Sequence, residues 1–134
     1  MPADYQIDRS RRVVHCRAWG VLTDQDLVDN RVALHADPVF EPNLAVLYDF
    51  TDVTEVNVTS ATLRGLARGS RLAPTARQAL IVSSEEAFGM ARMYSIFGGN
   101  ESQNRVFRDR ASAEAWLDSA RGPQPADEPE SSRS

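Results

Sequence analysis

The chain has 134 residues, of which 42% are hydrophobic and 25% are charged. These proportions are typical of one globular domain and exclude a disordered chain. The net charge of −4 provides no basic surface to attract a polyanion, so we expect no nucleic-acid partner. One cysteine and two histidines, without metal-ligand spacing, predict neither a disulfide nor a metal site, and no cofactor motif is present.

Apolar stretches are short throughout the sequence, and no hydrophobic leader follows Met1. We therefore expect a cytoplasmic protein without a transmembrane segment. After Arg121 the composition changes to proline, serine and acidic residues. This change predicts a domain over residues 1–121 and a flexible acidic tail over residues 122–134.

The first third of the chain predicts an antiparallel strand pair and a helix. Alternating apolar residues place strands at Tyr5–Ile7 and Arg12–Trp19, with a short polar turn between them, and Gly20 ends the second strand. Thr23 is the predicted N-cap of the helix, which ends before Pro38. Residues at helical spacing within this helix are Leu27, Arg31, Leu34 and His35.

Two apolar strands lie in the middle of the sequence. Leu44–Phe50 is a nearly continuous apolar run, which is typical of a strand covered on both faces. Thr51–Val58 is predicted to be a connecting loop, followed by a second helix that Thr59 or Ser60 caps and that ends near Pro74. The next buried strand is predicted at residues 78–83.

The last third predicts a helix, a short strand and a final helix. Ser83 or Ser84 begins the third helix, and Arg105–Phe107 forms the last strand. Asp109 caps the fourth helix. Strands that alternate with helices indicate an α/β fold with a mixed, mostly parallel five-stranded sheet. Its N-terminal strand pair is antiparallel, and four helices cover its two faces.

Several short segments, in this order, carry a family resemblance: Gly20–Thr23, Ala45–Asp49, Phe88–Tyr94, Arg105–Asp109 and Ala115–Leu117. On these segments, over about residues 4–120, the chain resembles the SpoIIAA-like family, which is related to STAS domains and to the Sec14-like lipid-binding architecture. The resemblance implies the same STAS-type α/β fold.

STAS anti-anti-sigma proteins are similar in having a strand that ends in aspartate and a phosphorylatable serine at the start of the next helix. Counted from Asp49, the matching position here is Val58, which cannot accept a phosphate. Thr59 and Ser60 follow directly. A shifted phosphosite at either residue therefore stays open.

Polar residues cluster where strands end and helices begin, which is where open α/β sheets bind ligands. We call these residues the predicted rim. The competing interpretation is that each Ser, Thr and Asp only caps a helix. The rim includes Asp49, Thr51, Asp52, Thr59, Ser60 and Ser84, with Ser83, Glu85 and Asp109 beside them.

No familiar catalytic motif is present, so we expect no enzymatic activity. His15 and Cys16 are adjacent in a strand and point to opposite faces, which excludes a catalytic pair. Two functions stay open. The first is a regulatory module of STAS type that presents its helix-edge surface to a protein partner and forms a homodimer. The second is binding of a small apolar or anionic, lipid-like ligand between the third helix and the sheet, where Tyr94 lies. Two roles of Arg92 stay open, contact with an anionic head group of that ligand or pairing with Glu85 or Glu86.

Overall fold

The computed structural model describes residues 3–98 and 103–120. The predicted tail over residues 122–134 lies outside the described residues. The elements follow the predicted order, with bounds β1 Ala3–Asp8, β2 Val13–Thr23, α1 Asp24–Ala36, β3 Ala45–Asn57, α2 Ser60–Arg68, β4 Gln78–Ile81, α3 Glu85–Gly98, β5 Asn104–Phe107 and α4 Arg110–Ala120.

The five strands form one sheet in the order β1-β2-β3-β4-β5. β1 pairs antiparallel with β2, and every other neighbouring pair is parallel. Val46 lies opposite Gln78 and Asp49 opposite Ile81, which confirms that the two central apolar runs are aligned in the same direction. The predicted mixed α/β sheet with an antiparallel N-terminal pair is confirmed.

The helices cover the sheet unequally. Each parallel strand is added on the same side of the one before it, so right-handed crossovers place α1, α2 and α3 on one face. Leu63 of α2 and Met90 of α3 pack with Leu80 of β4 on that face. On the opposite face α4 is the one helix of the described residues that packs, and its Leu117 joins a cluster that includes Leu47. The described core therefore has a thick layer of three helices and a thin layer of one.

The alternation of β2 agrees with the sequence pattern. Val14 and Cys16 are buried in a cluster with Leu34 of α1, and Val13 is buried on the α4 side. His15 is only half-buried. The two residues of the apparent His-Cys pair are therefore on opposite faces of the sheet.

Two predicted boundaries are wrong because β2 and β3 extend together. Gly20 does not end β2: it has a φ of +68°, and the register shifts between Gly20 and Val21, which is the geometry of a bulge. The predicted loop Thr51–Val58 is mostly strand, since β3 continues to Asn57. Leu22, which is fully buried, pairs with Val56 in this extension. The second helix also ends earlier than predicted, at Arg68.

Candidate functional site

Asp49 lies in β3 opposite Ile81, the last residue of β4, and its carboxylate is engaged entirely by neighbouring side chains and backbone. One carboxylate oxygen of Asp49 accepts hydrogen bonds from the backbone N–H of Thr51 at 2.9 Å and from its hydroxyl at 2.6 Å. The other accepts from Arg110 Nη2 at 3.0 Å. Burial opposes ionisation of Asp49, but the bonds from Thr51 and Arg110 outweigh it and hold the pKa of Asp49 below its usual value. Ser83 Oγ donates to the Thr51 carbonyl at 2.9 Å.

The phosphosite candidates lie at a different place, where α1 and α2 begin. Thr59 is the N-cap of α2, and its hydroxyl accepts from the backbone N–H of Thr62 at 3.2 Å. The backbone N–H and the hydroxyl of Thr59 both donate to the Asp24 carboxylate, at 2.8 and 2.9 Å. Ser60 is the first residue of α2 and is exposed. Thr59 therefore joins the starts of two helices.

The structure brings only part of the predicted rim together: Asp49 and Thr51 are in contact, with Ser83 beside them, whereas Thr59 and Ser60 lie elsewhere. β3 runs from Asp49 to Asn57 before α2 begins, and a strand rises about 3.3 Å per residue. Thr59 and Ser60 therefore lie roughly 25 Å along the strand from Asp49.

The remaining predicted residues have separate surroundings. Asp52 is exposed on β3. Ser84 Oγ accepts from the backbone N–H of Ala87 at 3.1 Å and so acts as a helix cap. Arg92 is exposed, and its guanidinium lies 5.8 Å from the Phe88 ring centroid. Of the predicted site residues, only Tyr94 lines the cavity beneath the helices.

That cavity, which we call the helix-layer cavity, lies between the three-helix layer and the sheet. It has a volume of about 50 Å³ and is partly open to solvent. Its wall is contributed by α1, α2 and α3 on one side and by β1 to β4 on the other. Most of the lining is apolar, and it includes Leu27, Leu34, Phe50, Leu63, Leu66, Leu80, Met90 and Ala91.

A chain of polar groups crosses one end of the cavity. Arg31 donates to the Leu66 carbonyl at 2.7 Å and to the Tyr94 hydroxyl at 3.2 Å. The Tyr94 hydroxyl donates in turn to Gln78 Oε1 at 3.0 Å, and the Tyr48 hydroxyl reaches the same oxygen at 3.3 Å. These hydrogen bonds connect α1, through Tyr94 of α3, to the buried strand β4.

Two titratable groups of the cavity wall stay neutral at physiological pH. Burial raises the pKa of Tyr48 well above its ordinary value. Burial likewise raises the pKa of the Cys16 thiol to about 12. Since the thiolate is the reactive form of cysteine, Cys16 is an unreactive part of the apolar lining. The Arg31 guanidinium is therefore the charged group that stands beside neutral neighbours at this end of the cavity.

Sequence reasoning did not identify Arg31 or Gln78 as site residues, although a signal for Arg31 was present. Arg31 stands four residues after Leu27 and three before Leu34, which is the face that an amphipathic helix turns towards the core. A charged residue on that face needs a buried partner or a ligand. Gln78 carried no comparable signal, because a single glutamine at the start of an apolar strand is unremarkable.

Residues 3–98 and 103–120 contain neither a metal-binding cluster nor a helix that could span a membrane. In that part of the chain no group of His, Cys, Asp and Glu side chains is arranged to hold a metal ion. None of the helices there is long and apolar enough to span a membrane.

Comparison with known proteins relates the chain to one fold. No protein-family model matches it, and no curated protein matches it. Among solved structures, it is similar to an uncharacterised protein of the DUF3478 family from Shewanella loihica PV-4, which has a SpoIIAA-like fold. The two share 23% sequence identity with a TM-score of 0.59, and the match covers 86% of this chain and 93% of the other. The order, pairing and direction of the strands agree with this match, and the chain described here has the SpoIIAA-like fold.

Proposed function

We propose that this protein is a non-enzymatic domain that binds a small apolar or amphipathic molecule in the helix-layer cavity. The observation that carries the proposal is the cavity itself, which is lined mainly by apolar side chains of three helices and the sheet. Ligand sites are typically concave and apolar, with a few convergent polar groups. The predicted rim supports the proposal less well, because Asp49, Thr59 and Ser84 are each engaged in internal hydrogen bonds.

The cavity volume limits the size of the enclosed part of the ligand. An apolar cavity of about 150 Å³ accommodates benzene. By proportion, the 50 Å³ present here encloses roughly two non-hydrogen atoms of a ligand. The rest of the molecule extends through the open side. A short, unbranched chain meets this requirement better than a bulky ring.

Titration of the protein with hexanol, followed by two-dimensional NMR of the backbone amides, tests the proposal. We expect the largest shifts at residues that line the cavity, such as Leu66 and Ala91. Leu66→Trp fills the cavity from α2, and we expect it to weaken binding at least about tenfold, or about 1.4 kcal/mol. Ile96→Trp is the matched control, because Ile96 is 52% exposed and belongs to α3.

Equal affinity of the two tryptophan variants, or shifts confined to the outer surface, would contradict the proposal. Native mass spectrometry of the protein purified from cells provides a second test. A bound small molecule that is lost from Leu66→Trp and kept by Ile96→Trp supports ligand binding.

A second candidate function is docking of a protein partner on the outer surface of α2 and α3. Met93 and Ile96 on α3 are 38% and 52% exposed and stand three residues apart, on one face of the helix. Arginines lie close to this surface: Arg64 of α2 stacks 4.7 Å from the Phe97 ring. The surface therefore fits a partner with an apolar and acidic face.

Partner capture with variant proteins tests this candidate. We expect a specific partner to be lost when Met93 and Ile96 are both replaced by serine. Val32→Ser is the matched control, since Val32 is 62% exposed and lies on α1. Retention of the same partner by the double variant would contradict docking on this surface.

A further inference from the structure

Arg31 is a charged group that lines a mostly apolar cavity. It lies in the middle of α1 and is half-buried. Its guanidinium reaches across the layer to the Leu66 carbonyl and the Tyr94 hydroxyl, and Arg31 is part of the cavity lining. The side chain therefore brings a permanent positive charge to the polar end of the cavity.

Within residues 3–98 and 103–120, no carboxylate forms an ion pair with Arg31. Its hydrogen-bond partners are neutral groups, namely the Leu66 carbonyl and the hydroxyls of Tyr94 and Tyr48. A guanidinium has five N–H donors, so these neutral partners leave its charge without a counter-charge. By contrast, Arg12, Arg108 and Arg110, all more exposed, each contact a glutamate or an aspartate. An arginine that is partly withdrawn from water is ordinarily paired with a carboxylate, because the charge loses part of its hydration.

We propose that Arg31 binds the anionic head of the ligand, so that the natural ligand is a small anionic amphiphile such as a short-chain carboxylate. This inference rests on the proposed binding function and specifies its chemistry. A carboxylate accepts paired N–H bonds from a guanidinium, and such charge-assisted bonds are stronger than bonds between neutral groups. The hydrocarbon part would lie against Leu27, Leu34 and Leu63 of the lining.

The position of Arg31 also accounts for the expected preference of the cavity for anionic over neutral ligands. The hydroxyls of Tyr48 and Tyr94 are not available to donate to an anion, because both already donate to Gln78 Oε1. Arg17 is the other charged residue of the lining, but its guanidinium stacks on the Trp19 ring, 4.5 Å from the ring centroid. Arg31 is therefore the cation that lies beside the Tyr94 hydroxyl at the polar end of the cavity. Exposed Arg92, on the outer side of α3 near Phe88, does not line the cavity.

The test compares hexanoate with hexanol, which have the same chain length and differ in charge, by NMR titration at pH 7. We expect the wild-type protein to bind hexanoate more tightly. Arg31→Gln should weaken hexanoate binding by roughly tenfold to a hundredfold, the range for a hydrogen bond to a charged group. Hexanol binding should change by less than about threefold in the same variant. Arg92→Gln is the control and should leave both affinities unchanged.

Each alternative result is distinguishable. If the wild-type protein binds hexanol and hexanoate equally, or if Arg31→Gln weakens both to the same extent, the assignment of Arg31 is wrong while the binding cavity stands. If neither probe shifts the cavity residues, the proposed function itself fails. A variant that does not fold is replaced by Arg31→Lys, which keeps the charge and should retain a preference for hexanoate.

Discussion

Replacing Tyr94 and Tyr48 by phenylalanine, singly and together, tests whether Gln78 Oε1 is a shared acceptor inside the core. The Tyr94 hydroxyl lies 3.0 Å from this oxygen and the Tyr48 hydroxyl 3.3 Å. In either single variant the oxygen keeps one donor. Tyr48→Phe should therefore cost only about 1 kcal/mol of unfolding free energy, and Tyr94→Phe more, because Arg31 also loses its hydroxyl acceptor. In the double variant the buried oxygen has neither donor, and an orphaned acceptor costs about 1–3 kcal/mol.

The double variant should therefore be less stable than the sum of the single variants by about 0.5–2 kcal/mol. Urea unfolding followed by circular dichroism measures these differences, which correspond to several degrees in Tm for a domain of this size. Adding Gln78→Met to the double variant removes the orphaned acceptor and should restore part of the loss. Additivity within about 0.3 kcal/mol, or no restoration by Gln78→Met, would refute the shared-acceptor reasoning.

Further predictions concern the start of α2, the end of β4 and the bulge in β2. Thr59→Asp should be less stable than Thr59→Asn by about 1 kcal/mol at low salt, because both residues cap helices well but only aspartate repels Asp24. Thermal unfolding measures this difference, and its persistence at 1 M salt, where the Debye length is about 3 Å, would contradict the electrostatic cause. The pKa of Asp49 is lowered below 3.8 in the folded protein, so its stabilising effect is complete above that pH and is lost as the pH falls. Asp49→Asn should therefore reduce the free energy of unfolding by about 1 kcal/mol at pH 7 and by much less near pH 2. Urea unfolding at several pH values measures this difference. A difference that stays constant from pH 7 to pH 2 would argue against the ion pair with Arg110. Gly20→Ala should cost about 1 kcal/mol, because the φ of +68° strains an L-residue although its Cβ would meet no atom within 4 Å. If the Gly20→Ala variant has the same midpoint of urea unfolding as the wild-type protein, the bulge tolerates a side chain and the prediction is wrong.

Local sequence patterns predicted most of the fold. Alternation in the second strand separated Val14 and Cys16 from Val13, and the structure buries them on opposite faces. Capping chemistry located the starts of the helices, as at Thr23, which forms a complete capping box with Asp26. These signals succeed because strand and helix periodicity depends on neighbours within a few residues.

The candidate site was predicted less well, because its parts depend on where distant segments meet. The sequence placed the predicted rim at strand ends and helix caps, but Asp49, Thr51 and Asp52 lie within the long β3, which separates Asp49 from Thr59. The sequence pattern ended the strand too early, since the polar residues after Phe50 are typical of a loop. Pairing with the extended β2 keeps these residues in the sheet.

The sequence by itself determined the order of the elements, the directions of the two central strands and the faces of the β2 side chains from Val13 to Trp19. Only the tertiary structure decided that Arg31 and Tyr94, 63 residues apart, would share a hydrogen bond. It also decided that an arginine within an apolar helical stripe would face a cavity and not a carboxylate. The physical reason is that periodicity assigns a side chain to a face, whereas its partner depends on which strands and helices the crossovers place beside it.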